Sequence, residues 1–212
     1  MMGSIDIDAV CSAPIAALAK LGTLEQFDGK ATVLREGEAG ACLYIVLAGR
    51  VRIFVDGEDG RRFVIGIFGP GSMFGEGSLD GGPRTASVET LNETTCAMVT
   101  YGNLRRQLMD DTQFGMALIM ELIQRSRSSA RRMKGLALNS AYQRFRELVL
   151  QEAPDHGGTG ELQGDWSQQE IANRIGCSRD MMTKIFKELS KGDYLLARRG
   201  QLQILKHLPK AW

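Results

Sequence analysis

Glu76 and Arg84 bracket a stretch in which Gly77, Gly81 and Gly82 leave the backbone bare between two opposite charges. A buried cation with nearby amide donors can hold a phosphate, and a carboxylate can accept from a sugar hydroxyl, so the segment has the parts of a site for a ligand carrying both groups. Thr85 adds a hydroxyl and an amide. The same residues also suit a glycine-rich hairpin closed by a structural Glu76–Arg84 ion pair, and on residue types alone that reading is the stronger.

A second set of polar side chains falls on one face of a helix. Ser167-Gln168-Gln169-Glu170 has the pattern of a capping box and starts a helix at Gln168, with Ile171 and Ile175 as its apolar stripe and Ala172 small enough for close crossing. Gly176 permits a tight turn and Ser178 can cap the next helix. There Met182, Ile185, Phe186 and Leu189 follow the helical apolar spacing and must face inward, leaving Arg179, Asp180, Thr183, Lys184 and Lys187 outward. An arginine at such a helix start can donate twice to guanine, a carboxylate can accept from cytosine, and a lysine can reach phosphate or guanine. From periodicity alone an ordinary helical hairpin with a polar outside fits equally well.

The segment after this helix shifts the balance. Tyr194-Leu195-Leu196-Ala197 runs into Arg198-Arg199-Gly200 and then the alternating strand Gln201-Leu202-Gln203-Ile204, which predicts a wing. Arg198 and Arg199 at its tip can grip phosphate without carrying sequence information.

Catalysis finds no comparable constellation. No nucleophile is paired with a base, and the histidines, His156 and His207, lie outside the strand-rich stretch where a metal-dependent barrel enzyme of the cupin type would need them. The chain therefore reads as a non-enzyme. Its four cysteines, Cys11, Cys42, Cys96 and Cys177, lie far apart without a Cys-x-x-Cys pair and read as buried or idle thiols. The net charge of +1 conceals a basic run, Arg125, Arg127, Arg131, Arg132 and Lys134, with the pattern of a solvated helix face. No stretch is apolar enough to span a membrane, and Asp6 and Asp8 stand where a secretory signal would be positive, so a cytoplasmic protein without membrane contact is expected.

Three kinds of element must position these groups. From about Ala31 to Thr100, short runs such as Leu43–Leu47, Val51–Val55 and Phe63–Phe68 alternate with glycine-bearing turns, which predicts an antiparallel β-roll. Met116, Ile119, Ile123, Ser126, Ala130, Met133 and Ala137 then recur at spacings of three and four, the seam of a long helix suited to a second helix; packing against its own barrel is the blander alternative. A further helix over roughly Ser140–Glu152, a loop from Pro154 to Gly160 and the helix pair with its wing complete the chain. The fold class is α+β, divided as 1–111 for the roll, 112–138 for a dimerisation helix and 139–212 for a winged helix-turn-helix.

The string Gln169-Glu170-Ile171-Ala172-Asn173-Arg174-Ile175-Gly176-Cys177-Ser178-Arg179-Asp180 resembles the helix-turn-helix of the cyclic-AMP receptor protein and fumarate-nitrate reductase regulator family. Gly71-Ser72-Met73-Phe74-Gly75-Glu76 and Pro83-Arg84-Thr85-Ala86 resemble the two ends of that family's phosphate-binding cassette, and the order barrel, long helix, winged helix is the family's order. The resemblance implies a ligand-responsive transcription regulator. It would bind a palindromic operator in double-stranded DNA as a homodimer and work with RNA polymerase. By the same resemblance Gly75 and Glu76 would hold a ribose, Arg84 and Thr85 a phosphate, and Arg125 and Ser129, one turn apart on the long helix, would meet the nucleotide. Cyclic AMP is the first ligand implied, with cyclic GMP and cyclic di-GMP as further choices and no resident cofactor. Arg179, Asp180 and Lys184 would read bases, with Asp180 shorter than the family's usual glutamate and Lys184 lacking the fork of an arginine. An iron–sulfur sensor would need about four thiolates where only Cys11 stands, and a haem sensor a barrel histidine. The competing expectation is a regulator of the same fold with a non-nucleotide effector or none.

Overall fold

A computed structural model describes residues 5–153, 159–162, 164, 166–198 and 201–210. Helices α1 (Ile7–Val10) and α2 (Ala13–Ala19) precede eight strands: β1 (Thr23–Phe27), β2 (Thr32–Leu34), β3 (Cys42–Ala48), β4 (Val51–Asp56), β5 (Arg62–Phe68), β6 (Met73–Phe74), β7 (Ser87–Thr90) and β8 (Thr94–Thr100). They form two antiparallel four-stranded sheets, β1-β8-β3-β6 and β2-β7-β4-β5. The expected roll is present, and it begins earlier than Ala31 because β1 pairs along β8, Thr23 opposite Met98 and Phe27 opposite Thr94.

Strand β3 reads as an unbroken apolar run because both of its faces are covered. Leu43, Ile45 and Leu47 pack with α2 and later helices, while Tyr44 and Val46 point into the roll against Val51, Phe74, Val88 and Cys96. Tyr44 stacks on Phe74, ring centroids 5.4 Å apart.

Thr100 caps α3 (Tyr101–Asp110) by accepting from the Asn103 amide at 3.2 Å. Asp111 then accepts from the amides of Gln113 and Phe114, each at 3.0 Å, and opens α4 (Thr112–Leu138). Phe114 and Leu118 bury one stripe of α4 in the roll's core. The predicted seam is a different stripe: Met116, Ile119, Ile123 and Met133 remain 55%, 50%, 39% and 65% exposed.

Ser140 and Gln143 form a capping box at α5 (Ala141–Glu152) that the sequence reading had not singled out. Short strand β9 (Gly160–Leu162) follows, so Gly160, expected in a loop, starts a strand; Pro154–Gly158 of that expected loop lie outside the described residues. Next come α6 (Gln168–Ile175), α7 (Arg179–Lys191), β10 (Leu195–Arg198) and β11 (Gln201–Ile204), with sheet order β10-β11-β9. Leu202 faces Leu162 across the added strand, which seats the wing on a core of Phe145, Trp166, Ile171, Met182, Phe186 and Leu189.

Contacts divide the chain into two compact units, Met1–Val55 with Ile65–Ser126 and Asp56–Val64 with Arg127–Trp212. The division falls inside α4, whereas the sequence reading divides the chain at the ends of that helix. Among the described residues no helix is long and apolar enough to cross a membrane, and no cluster of His, Cys, Asp or Glu is arranged to hold a metal ion.

Candidate ligand site and nucleic-acid interface

Gly75 ends β6 in the left-handed region, φ 88°, and turns the chain into a short 3-10 helix, Glu76–Ser78. The cassette returns through Gly81, whose φ is 90°, and the Asp80 side chain accepts from the Gly82 amide at 2.9 Å. Arg84 is then pinned by its backbone, its amide donating to Glu38 O and its carbonyl accepting from Gly37, each at 2.8 Å.

The Arg84 side chain is only 5% exposed and, among the described residues, has no carboxylate partner. Its Nη1 donates to Gly75 O at 2.6 Å and to the Tyr101 hydroxyl at 3.1 Å, and Nη2 lies 3.7 Å from Cys42 Sγ. The Tyr101 hydroxyl in turn donates to Gly75 O at 2.5 Å. A buried cation with only neutral partners is costly, and an anion placed beside it would lower that cost.

The Glu76–Arg84 ion pair favoured by residue types does not form. Glu76 accepts instead from Arg125 Nη1 of α4 at 2.6 Å. Arg125 Nη2 also reaches Met73 O and Glu121 Oε1, both at 2.5 Å, and its guanidinium lies 5.1 Å from the centre of the Phe68 ring. Glu76 had two cations within sequence reach of a fold; the roll buries Arg84 behind Gly75 and leaves the carboxylate turned toward α4. The structure thus brings together Gly75 with Arg84, and Glu76 with Arg125, within one unit. Thr85 is exposed, and Ser129 is an exposed residue of α4 beyond that unit's end at Ser126.

Tyr101, Gly40, Cys42, Glu121 and Phe68 belong to this neighbourhood and were not singled out from sequence. Nothing local marks them, since the turn before β3, then β3, β5, α3 and α4 deliver them from separate places in the chain. Cys11, Cys42, Cys96 and Cys177 are all free thiols. Cys11 and Cys96 are buried, and burial raises both, Cys96 to about 12, but Cys42 is only partly buried and touches the arginine.

In the second unit Ser167 accepts from the Glu170 amide at 3.3 Å and Ser178 from the Met181 amide at 3.2 Å, so both helices start where expected. Gly176 closes α6 with φ 67°. Arg144 of α5 secures the turn, donating to the carbonyls of Ile175 at 2.7 Å and Gly176 at 3.2 Å, which satisfies groups that a helix end leaves open. Ser178, Arg179, Asp180, Thr183, Lys184 and Lys187 are all exposed on or beside α7, and Arg198 is exposed at the end of β10; Arg199 lies outside the described residues. Thr183 Oγ1 donates to Gln168 Oε1 at 2.7 Å, tying the two helices. A cavity of about 500 Å³ between the helix pair and the wing is lined in part by Ser167, Gln168, Gln169, Arg179 and Arg198. Trp166, Phe186 and Ala197 make much of the rest of its wall apolar, so the cations that could meet a polyanion there are Arg179 and Arg198 at its rim.

Residues 24–111, spanning the roll, match the cyclic nucleotide-binding domain family. Over 181 residues the chain is 33% identical to the CRP-like cAMP-activated global transcriptional regulator of Mycobacterium tuberculosis (strain ATCC 25618 / H37Rv), covering 83% of this chain and 81% of the relative. The chain belongs to the CRP/FNR family of transcription regulators. The cAMP-activated global transcriptional regulator CRP of Haemophilus influenzae is 29% identical over 175 residues, 78% of this chain and 76% of that one. Among solved structures, the c-di-GMP responsive global regulator CLP of Xanthomonas campestris superposes with a TM-score of 0.82 at 23% identity, covering 92% and 99% of the two chains. The CRP/FNR family regulator TTHA1359 of Thermus thermophilus gives a TM-score of 0.70 at 24% identity, covering 87% and 94%. Membership makes this chain a DNA-binding transcription regulator with a cyclic-nucleotide-type roll.

Proposed function

We propose that this CRP/FNR regulator binds a palindromic DNA operator as a homodimer under the control of cyclic AMP, held by Gly75, Glu76, Arg84, Thr85, Arg125 and Ser129. The observation that carries the reading is Arg84, a guanidinium 5% exposed whose partners are a carbonyl, a phenol and a thiol. A cyclic phosphate supplies the missing negative charge, and the ribose hydroxyl finds Glu76 beside it. Relatives named as cAMP-activated make cyclic AMP the ligand to test before cyclic GMP or cyclic di-GMP.

Because Glu76 is bonded to Arg125, the carboxylate that would meet the ribose is already coupled to α4. Ligand that bonds Glu76 redistributes the Arg125 contacts and so favours one setting of α4 over another, a population shift that requires ligand to bind the DNA-competent state better. The half-exposed Met116, Ile119 and Ile123 stripe is the surface for the second copy, since burying the part of such side chains still in water contributes about 1 kcal/mol each. We assign 1–111 to ligand binding, 112–138 to dimerisation and 139–212 to DNA. In that last segment Arg179, Asp180 and Lys184 read bases, while Ser178, Thr183, Lys187, Arg198 and Arg199 hold the backbone. The protein would act in the cytoplasm with RNA polymerase and perform no catalysis of its own.

Titration calorimetry with cyclic AMP, cyclic GMP and cyclic di-GMP at matched salt tests the reading, alongside binding of an operator selected from random duplexes. Heat with cyclic AMP and tighter operator binding in its presence are expected. Silence from all three nucleotides would overturn the ligand assignment, and operator binding by a monomer would overturn the dimer.

A further inference from the structure

Arg84 can offer a phosphate either the end of its guanidinium, through Nη1 and Nη2, or the side, through Nε and Nη2, and the choice decides which oxygens of the anion it meets. In this fold the end is already occupied. Both hydrogens of Nη1 have acceptors, Gly75 O at 2.6 Å and the Tyr101 hydroxyl at 3.1 Å. Tyr101 cannot swing away freely, because its hydroxyl is also bonded to Gly75 O at 2.5 Å and its ring is part of the buried core at 8% exposure. Nε makes no bond to any described residue, and Nη2 touches only the Cys42 sulfur at 3.7 Å, a weak acceptor.

Residue 40 lies against the face of that guanidinium, where there is room only because it has no side chain. A Cβ at Gly40 would lie 2.7 Å from both Nε and Cζ of Arg84 and 2.9 Å from Ser78 Cβ. Gly40 does not occupy the left-handed region, so the demand for glycine there is one of space and not of backbone conformation. The Gly40 segment is locked to the arginine on the same side, through Arg84 N to Glu38 O at 2.8 Å and the Ala39–Pro83 bridge.

We infer that Tyr101 and Gly40 are positioning residues that make Arg84 present its Nε–Nη2 edge, and only that edge, to a phosphate. Tyr101 occupies Nη1, while Gly40 leaves room for the guanidinium plane to lie against its Cα and so fixes which way that edge points. The inference rests on the reading of Arg84 as the phosphate arginine and adds the orientation, hence the selection between the two exocyclic oxygens of a cyclic phosphodiester. Tyr101→Phe keeps the ring and removes the hydroxyl; Gly40→Ala adds one methyl where the movable guanidinium must yield.

The test measures affinity of the wild type and both variants for cyclic AMP and for its two phosphorothioate diastereomers, in which sulfur replaces one or the other exocyclic oxygen. Each variant is expected to bind cyclic AMP roughly tenfold more weakly or worse, and the preference between the diastereomers is expected to change. A purely structural role would weaken both diastereomers alike, so an unchanged preference in both variants overturns the inference. Nitrogen-15 spectra of the arginine side chains, with Arg84 assigned through Arg84→Lys, supply a second reading without ligand. Wild type should show distinct Nη1 and Nη2 signals that merge in Tyr101→Phe, and an Nε signal that moves in Gly40→Ala. Identical spectra in all three proteins overturn the orientation. If wild type binds no cyclic nucleotide the ligand reading falls, while these spectra still decide how Arg84 is held.

Discussion

Replacing Arg84 by methionine separates ligand binding from stability. Methionine fills a similar volume but removes a buried cation whose partners are all neutral, with the side chain 5% exposed. The neighbours are not orphaned, because the Tyr101 hydroxyl keeps its 2.5 Å bond to Gly75 O. Relief of the desolvated charge then offsets the lost hydrogen bonds, and the free protein should melt within a few degrees of wild type, about 1 kcal/mol corresponding to roughly 2–4 °C in a chain of this size. Binding behaves differently. Loss of two charge-assisted bonds to phosphate, about 1.5–3 kcal/mol each, predicts a dissociation constant about 10²- to 10⁴-fold larger. Calorimetry with cyclic AMP and thermal unfolding of the free protein measure the two quantities. Arg84→Met that binds within about threefold of wild type, or that melts more than about 5 °C lower, would refute the reasoning, because Arg84 would then be a structural residue.

Arg179→Ala is expected to weaken binding to the selected operator by about 1–3 kcal/mol per half-site in fluorescence anisotropy while cyclic AMP affinity stays at the wild-type value; equal binding to operator and random duplex by both proteins would remove Arg179 from base reading. Ile119→Glu, at a side chain 50% exposed, should shift the sedimentation profile from dimer to monomer by raising the dissociation constant about a hundredfold, and an unshifted profile would place the dimer contact elsewhere. Burial raises the Cys96 thiol from 9.0 to about 12, so the folded state holds this proton more tightly than the unfolded chain. Its contribution is complete below pH 9.0 and is lost as pH climbs toward 12, on the order of 4 kcal/mol over the window, and denaturant midpoints should therefore fall less steeply with pH in Cys96→Ala than in wild type. Parallel slopes would contradict the burial argument.

Local chemistry carried much of this protein in its sequence. Period-2 and helical spacing, glycine turns and the serine caps are short-range signals, so the roll, α4, α6, α7 and the wing were legible from neighbours along the chain. The outward side of α7 was legible for the same reason, since Met182, Phe186 and Leu189 had to be buried. Strand β9 escaped because so short a strand after a glycine-rich loop is stabilised by pairing with β11, a contact between segments far apart in sequence.

The partners of the charges were decided only by the tertiary structure. Residue types within one segment favoured Glu76 against Arg84, yet Arg125 reaches Glu76 from a helix distant in the chain, and Arg84 turns to Gly75 and Tyr101. Which ion pair forms depends on a few ångströms of separation and on which group loses its water, and neither is set until the strands have closed and α4 has packed. The same holds for Gly40, an unremarkable glycine along the chain whose missing methyl matters only because Arg84 lies where that methyl would be.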